Sequence, residues 1–145
     1  MRPIIPDGPW QNYIGDVEQC QYEDIEGTEM FEASLSSRID HPDTHVGQGD
    51  VWFRVEDKGF AGLWEPSNGS KLRFAPVYVL PDHRGRGIGR ALVVKRFRYG
   101  LDRPDIEKMD TYAHNPDFFH KIGFEWQEFY EQKGTHHLVF EQDYR

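Results

Sequence analysis

The densest run of chemically useful residues lies between Val77 and Leu92, where the sequence reads Val-Tyr-Val-Leu-Pro-Asp-His-Arg-Gly-Arg-Gly-Ile-Gly-Arg-Ala-Leu. Glycines stand at positions 85, 87 and 89, between a predicted strand and a predicted helix. Glycine lets a ligand approach the backbone closely, and the first N–H groups of a helix attract an anion. Neighbouring arginines supply fork-shaped donors that fit phosphate oxygens. The segment therefore predicts a binding site for a phosphate-bearing ligand.

Two common phosphate-binding loops do not fit this segment. The P-loop ends in Gly-Lys-Ser/Thr, which the segment lacks, and the dinucleotide fingerprint requires a third glycine where the chain has Arg90. A basic turn that only caps the following helix is the plain alternative to a ligand site.

The charge of the chain is unevenly distributed. Lys and Arg number 17 and Asp and Glu number 25, which gives a net charge of −8. Six of the bases and none of the acids fall between Arg84 and Arg98. An acidic body disfavours nucleic acid, whereas one short basic segment suits a single anionic ligand. We therefore expect no nucleic-acid partner, and the acidic remainder favours a cationic substrate.

Length and composition indicate one domain, predicted over residues 1–145, with a core of its own. Aromatic residues make up 14% of the chain, and no apolar run approaches the ~20 residues of a membrane span. The single cysteine, Cys20, excludes an intrachain disulfide and a cysteine-rich metal site. The first ten residues hold no hydrophobic stretch typical of a secretory signal. We expect a cytoplasmic protein with no membrane partner.

Three strands are predicted ahead of the glycine-rich segment. Aromatic and β-branched runs at 51–55 and 60–64, each followed by turn residues, indicate an antiparallel meander. A third run, 72–80, is more continuously apolar and is expected to be central in the sheet. Pro76 lies inside it and cannot donate a ladder hydrogen bond, which predicts a bulge or local splay at that point.

The remaining elements complete a mixed α+β domain. A helix is predicted over 88–101, then a strand at 106–112, a short helix at 116–121 and a closing hairpin of 124–130 with 137–140. Before residue 51 the pattern is weaker. Thr28 is a candidate cap for a helix, although the same stretch also alternates like a strand, and a short strand is possible at 3–5.

The order of two motifs resembles a known family. The stretch from Val79 to Leu92, Val-x-Pro-x-x-Arg-Gly-x-Gly-x-Gly-x-Ala-Leu, resembles motif A of the GNAT N-acetyltransferase superfamily, whose core is Arg/Gln-x-x-Gly-x-Gly/Ala. The stretch from Asn115 to Phe124 is similar to motif B, which ends in aromatic–Tyr–x–Lys–Leu–Gly–Phe. The resemblance covers residues 48–141. It implies a three-layer, α/β/α-like GNAT fold with a mostly antiparallel, splayed sheet, in which the variable residues 1–47 would shape the acceptor side.

The resemblance also implies acetyl-CoA as the acetyl donor. In the family the strand before motif A faces the pantetheine arm, the loop amides hold the pyrophosphate, and motif B lies near the thioester. Carried over to this chain, the cofactor-binding residues are Val77, Tyr78, Val79, Arg84, Gly85, Arg86, Gly87, Ile88, Gly89, Arg90, Asn115 and Phe119.

At the catalytic positions the chain departs from the family pattern. Phe119 stands where the family often has a tyrosine that protonates the departing thiolate, so His120 is named as the acid, with Tyr112 and His114 as alternatives. The strand 72–80 contains no acid, and Glu65 is the nearest carboxylate that could serve as general base, directly or through a water.

The function expected from these features is acetyl transfer from acetyl-CoA to a primary amine by direct attack in a ternary complex. The acceptor would be a small molecule or a peptide, and the protein a monomer or a homodimer. Two alternatives stay open: a GNAT-fold binding protein without turnover, and a nucleic-acid module that uses the basic segment. No metal is expected, since His41-Pro-Asp43-Thr-His45 reads as a polar loop.

Overall fold

The computed structural model describes residues 4–37, 51–65 and 70–142. Within these ranges one seven-stranded sheet runs in the order β1-β2-β3-β4-β5-β7-β6. Every neighbouring pair is antiparallel except β4 and β5, which are parallel. The strands are β1 (Val17–Cys20), β2 (Val51–Val55), β3 (Gly59–Trp64), β4 (Lys71–Val79), β5 (Lys108–Ala113), β6 (Glu125–Tyr130) and β7 (Thr135–Glu141).

Helices cover the two faces of the sheet. They are α1 (Tyr22–Ile25), α2 (Glu29–Ser37), α3 (Ile88–Leu101) and α4 (Asp117–Lys121), with short 3-10 turns at Pro9–Asn12, Ile14–Asp16 and Pro81–His83. Side chains of α3 and α4 share one apolar cluster with the sheet, while α1 and α2 contribute to a second cluster. The arrangement confirms the predicted α+β fold with a mostly antiparallel sheet.

Alternation along the strands assigns residues to the two clusters. In β2, Trp52 belongs to the cluster with α1 and α2, and its neighbour Phe53 belongs to the cluster with α3. Successive side chains of a strand point to opposite faces. By the same rule Leu72 and Met109 lie on the α3 side of the sheet. Arg73 and Asp110, which follow them, lie on the opposite face.

The sheet opens between its two central parallel strands. Pairing of β4 with β5 covers only three positions and ends where Arg73 lies opposite Asp110. On the other side of β4, Leu63 pairs with Phe74 but Ala61 pairs with Val77, so β4 carries one extra residue between them. The bulge predicted at Pro76 is therefore confirmed. Beyond it, β4 keeps β3 as its partner and leaves β5, which stays paired with β7.

A buried arginine from α3 meets this bulge. Arg96 is 1% exposed, and its Nη1 donates to the carbonyl of Gly62, the β3 residue opposite the extra residue of β4. Its Nε donates to the Leu92 carbonyl, and its guanidinium lies 4.5 Å from the ring centre of Phe74. Burial lowers the pKa of Arg96 because desolvation disfavours the charged form. The side chain supplies a donor where the bulge interrupts the ladder between the strands.

The N-terminal region differs most from the sequence-based prediction. Residues 4–7 form no strand, whereas β1 was not predicted and pairs with β2 at the edge of the sheet. The predicted helix cap is confirmed, since the Thr28 Oγ1 accepts a hydrogen bond from the Phe31 N–H. The buried side of α2 holds Met30, Phe31 and Ser34, and Leu35 is exposed. The tertiary contacts of a short edge strand leave little trace in a local pattern.

We expect Arg96→Met to lower the free energy of unfolding. Removing the guanidinium leaves the buried Gly62 carbonyl without this donor, and an unsatisfied buried acceptor costs about 1–3 kcal/mol. Urea unfolding at neutral pH measures the change.

Lys95→Met is the matched control, because it removes a cation from the neighbouring position of the same helix. We expect this control to stay within about 0.5 kcal/mol of the parent. Equal stability of both variants and the parent would contradict the role assigned to Arg96.

Candidate functional site

A surface cavity of about 330 Å³ lies at the end of β4, where the chain turns into α3. It is bounded by the strand, the 3-10 turn that follows it, the glycine-rich loop and the first turn of the helix. The lining residues are Val77, Tyr78, Val79, His83, Arg84, Gly85, Gly87, Ile88 and Gly89. Eight of these nine residues were singled out in the sequence as binding residues, and only His83 was not.

The loop offers a run of unused backbone donors. Among the described residues no group accepts a hydrogen bond from the N–H groups of positions 85–90, whereas the N–H of Ala91 already donates to Gly87. Gly85 and Gly87 have φ values of 78° and 104°, in the left-handed region that glycine adopts without strain. Consecutive amides at a helix N-terminus form an anion-binding concavity. The loop is therefore shaped and polarised for phosphate.

Two of the glycines leave room for a ligand. A Cβ at Gly85 would meet no atom within 4 Å, and one at Gly89 would meet only the Val79 Cγ2, at 3.9 Å. Side chains there would fill open space rather than collide with the protein. Gly87 is different, since its Cβ would lie 2.5 Å from the backbone N of Trp10. The loop thus packs closely against the N-terminal 3-10 turn, while its other glycines stay open.

The arginines of the loop have different contacts. The Arg84 Nε donates to the Val79 carbonyl at 2.8 Å, and its guanidinium lies 5.2 Å from the Tyr78 ring centre, so this side chain folds back on the end of β4. Arg86 and Arg90 are exposed, and the guanidinium of Arg90 lies over the ring of Phe118 in α4. Neither lines the cavity, but both belong to the loop and first helical turn that border it.

His83 places an unsatisfied polar atom beside the cavity. Its Nδ1 is buried and has no hydrogen-bond partner among the described residues. A buried polar atom without a partner is rare in folded proteins and often belongs to a ligand site. No signal in the sequence separated His83 from an ordinary turn residue.

The two predicted motif B residues lie across the opening of the sheet, outside the cavity. Phe119 is buried in α4, with its ring centre 5.8 Å from that of Phe74, the first β4 residue beyond the last pair with β5. The Asn115 Oδ1 accepts a hydrogen bond from the Asp117 N–H and so starts α4. The aromatic side chain faces the opening, and the amide has a structural partner. Their contact with a cofactor stays a prediction.

The two candidate catalytic residues belong to different elements of the fold. Glu65 follows β3, and its carboxylate accepts hydrogen bonds from Arg103, which also binds Asp105. His120 is exposed on α4. The roles of Glu65 and His120 stay predictions.

A charged cluster that was not predicted lies at the apex of the opening, by which we mean the point where the pairing of β4 with β5 ends. Asp110 is fully buried, and its Oδ1 and Oδ2 accept hydrogen bonds from the Arg73 Nε and Nη2 at 3.1 and 3.0 Å. The His137 Nε2 and the Lys71 Nζ lie 3.0 and 3.2 Å from Oδ2. Burial opposes ionisation of Asp110, but the hydrogen bonds from Arg73 and His137 outweigh it and hold its pKa below the ordinary value.

Four planar groups form a stack above this cluster, one from each of four neighbouring strands. The Arg73 guanidinium lies 5.5 Å from the ring centre of Trp64 and 5.1 Å from that of Tyr112. Tyr112 stacks on His137 at 4.5 Å and 11°. The alternation of Lys71 and Arg73 with apolar residues, and an acid inside a predicted strand, were the available signals. The sequence does not contain the register between strands, so it could not show that these residues lie next to one another.

The rest of the described chain was searched for metal and membrane features. Residues 4–37, 51–65 and 70–142 contain no group of three or more His, Cys, Asp or Glu placed to hold a metal ion. In the same ranges, none of the helices has the length and apolar character required to cross a bilayer. The segment from His41 to His45 lies outside the described residues.

We expect Asp110→Asn to destabilise the protein in a pH-dependent manner. The substitution leaves Arg73 without its counter-charge, which we expect to cost about 2–4 kcal/mol at pH 7, less than for a fully buried pair because Arg73 is partly exposed. The folded pKa of Asp110 is lowered, so its contribution exists above the unfolded pKa and is lost as the pH falls through the folded pKa. The gap between parent and variant should therefore shrink below about pH 4.

Urea unfolding at pH 7, 5 and 3 measures this gap. Glu141→Gln is the control, since it removes a carboxylate from an exposed pair with Lys108 on the same sheet. We expect the control to change stability by less than about 1 kcal/mol at any pH. A gap for Asp110→Asn that stays constant from pH 7 to pH 3 would refute the assignment.

Comparison with solved structures identifies the fold. Escherichia coli ElaA superposes with a TM-score of 0.63 at 18% identity, over 86% of this chain and 98% of that one. An aminoglycoside 6′-acetyltransferase type Ii gives a TM-score of 0.63 at 11% identity, over 89% and 98%. A GNAT acetyltransferase from Elizabethkingia anophelis with acetyl-CoA bound gives 0.62 at 14%, over 87% and 97%. At these identities the likeness establishes the shared fold.

Sequence comparison supplies the family. No curated protein matches the chain significantly. The family model of the acetyltransferase (GNAT) domain matches residues 47–134, more than half of the chain and the whole span from β2 to the turn before β7. The sheet, the glycine-rich loop and this match agree: the chain belongs to the GNAT acetyltransferase family.

Proposed function

We propose that the protein transfers an acetyl group from acetyl-CoA to a primary amine by direct attack. The observation that carries the proposal is the cavity at the end of β4, beside the opened sheet and bordered by the loop 85–90, whose backbone N–H groups have no acceptor among the described residues. The same fold binds acetyl-CoA in the Elizabethkingia anophelis relative. A cytoplasmic location fits a donor of this kind and belongs to the proposal.

The residues present fit such a donor. The amides of positions 85–90 would hold the pyrophosphate, with Arg86 and Arg90 adding charge at the rim. Beyond Phe74, no described strand pairs with the β5 side of β4, so the backbone groups that residues 77–79 turn to that side, apart from the Val79 carbonyl bonded by Arg84, could bond the pantetheine amides. Phe119 would close the opening from the α4 side.

Acetyl transfer to an amine does not require a strong general acid or base. Acetyl-CoA supplies a thioester; a neutral amine forms the new C–N bond, the C–S bond breaks, and the amine proton leaves. Alignment of the two reactants provides much of the rate. A thiol with a pKa of about 8.5 leaves without a strong acid. We retain Glu65 as a candidate base, acting through a water, and His120 and Tyr112 as candidate acids, of which Tyr112 lies nearest the apex of the opening.

The alternative is a binding protein that holds CoA without turnover. Phe119 in the position of the family's tyrosine and the absence of an acid from β4 favour it. Its distinguishing property is cofactor binding without thiol release.

Thermal unfolding of the parent, Gly89→Ala and Gly89→Asp, with and without acetyl-CoA, tests the site. A ligand at 100 times its Kd stabilises by about 2.7 kcal/mol, which is several degrees in a domain of this size. Gly89→Ala adds only a methyl group to this open space and should keep most of the shift. Gly89→Asp puts a carboxylate where phosphate would sit and should lose it, although an acid in the first turn favours the helix itself.

Thiol release in the presence of amines then separates the two functions. Acetylation by the parent and by Gly89→Ala, lost in Gly89→Asp, supports the transferase. Binding without thiol release from any amine supports the binding protein. An equal shift in Gly89→Asp, or none in the parent, would overturn the assigned donor site.

A further inference from the structure

Among the described residues, the apex of the opening is accessible from one face of the sheet. On the other face α3 and α4 pack over it, where Phe74 and Phe119 are buried together. Opposite α3, Trp64 and Tyr112 are exposed at 41% and 40%, and Lys71, Arg73 and His137 are partly exposed. We call the surface formed by Trp64, Lys71, Arg73, Tyr112 and His137 the open face. An acceptor that meets the thioester at the apex must cross it.

Arg73 presents one free edge on the open face. Its two ring neighbours, Trp64 and Tyr112, cover the flat sides of the guanidinium. Its Nε and Nη2 bond Asp110 along one edge. No described residue accepts a hydrogen bond from Nη1, and 32% of the side chain is exposed. A guanidinium with covered sides and an open edge offers in-plane paired donors, the arrangement that recognises a carboxylate.

Among the described residues, two cations touch the one carboxylate beside that edge. Lys71 and Arg73 together face one carboxylate, Asp110, and Lys71 is 38% exposed. Glu128, on the edge strand β6, is bonded to Tyr130, and Glu141, on β7, is bonded to Lys108. The carboxylate of Asp110 is fully buried, so an incoming ligand meets the cations first. This local excess of cations around Asp110 contrasts with the net charge of −8 of the whole chain.

We propose that the acceptor is an amine that also carries a carboxylate, as a free amino acid does, and that Arg73 and Lys71 bind the carboxylate while the amine faces the thioester. The inference rests on the proposed function and narrows it. The acidic surface attracts the ammonium group, and the open face selects among amines by their anionic group. A polycation without a carboxylate lacks a partner for the free Arg73 edge.

Matched pairs of free L-amino acids and their C-terminal amides test the proposal, with spermidine as a polycation. Thiol release from acetyl-CoA gives kcat/KM for each amine. The amides contain a less basic amine, so more of it is neutral near pH 7, and faster reaction of the acids must come from the protein. We expect the best amino acid to exceed its amide at least about tenfold, the ratio that corresponds to a charged hydrogen bond.

Two variants and a control test whether the open face causes the preference for amino acids over their amides. Arg73→Lys keeps a cation beside Asp110 but loses the paired donors, and we expect the acid-to-amide ratio to fall about tenfold. Lys71→Gln should lower the ratio by about 2- to 5-fold. Lys108→Gln is the control, because Lys108 lies opposite Lys71 on β5 but pairs with Glu141, and its ratio should match that of the parent. The thermal shift with acetyl-CoA verifies that each variant is folded.

The outcomes distinguish failure of this inference from failure of the proposed function. Amides or spermidine reacting as fast as amino acids, or an unchanged ratio in Arg73→Lys, overturn this inference while leaving the transferase in place. The same holds if other amines are acetylated and no amino acid is. If no amine is acetylated although acetyl-CoA binds, the proposed function fails, and this inference fails with it.

Discussion

The rest of the structure depends on the point at which β4 parts from β5. Two parallel strands at the centre of a sheet normally stay paired along their length, because each leaves polar backbone groups that need partners. Here the pairing ends after Arg73 and Asp110. Their ion pair closes one face of the apex, and on the other face Arg96 supplies a donor to the bulge that bends β4 away. Buried charge on both sides fixes the position at which the sheet opens.

The opening and the glycine-rich loop form one unit. The strand that leaves β5 ends at Val79, and the Arg84 side chain bonds its last carbonyl before the chain turns into α3. Gly87 then packs on the backbone of the N-terminal turn at Trp10, whose ring also contacts Arg98 of the same helix. The N-terminal residues, which carry little pattern of their own, therefore hold the loop whose amides stay free. The proposed donor loop and the N-terminal turn thus pack together at Gly87.

The sequence predicted those elements whose structure depends on residues close together in the chain. The bounds of α3, the strands from β2 to β7 and the bulge at Pro76 follow from periodicity, turn residues and a missing amide hydrogen. Strand β1 and the stack from Trp64 to His137 follow from register, which one sequence does not contain. The same limit applies to the site: the loop was predicted from glycine spacing, but the apex cluster around Asp110 required four strands to be aligned first.

Backbone amide exchange measured by NMR, with and without acetyl-CoA, tests the central claim most directly. The free amides of positions 85–90 and the unpaired edge of β4 are the groups that the donor must cover. The account predicts that protection rises at 85–90 and within 77–79, and stays constant along the outer strand β6 (Glu125–Tyr130). Protection that rises elsewhere, with these two segments unchanged, would contradict a donor site built on the opened sheet.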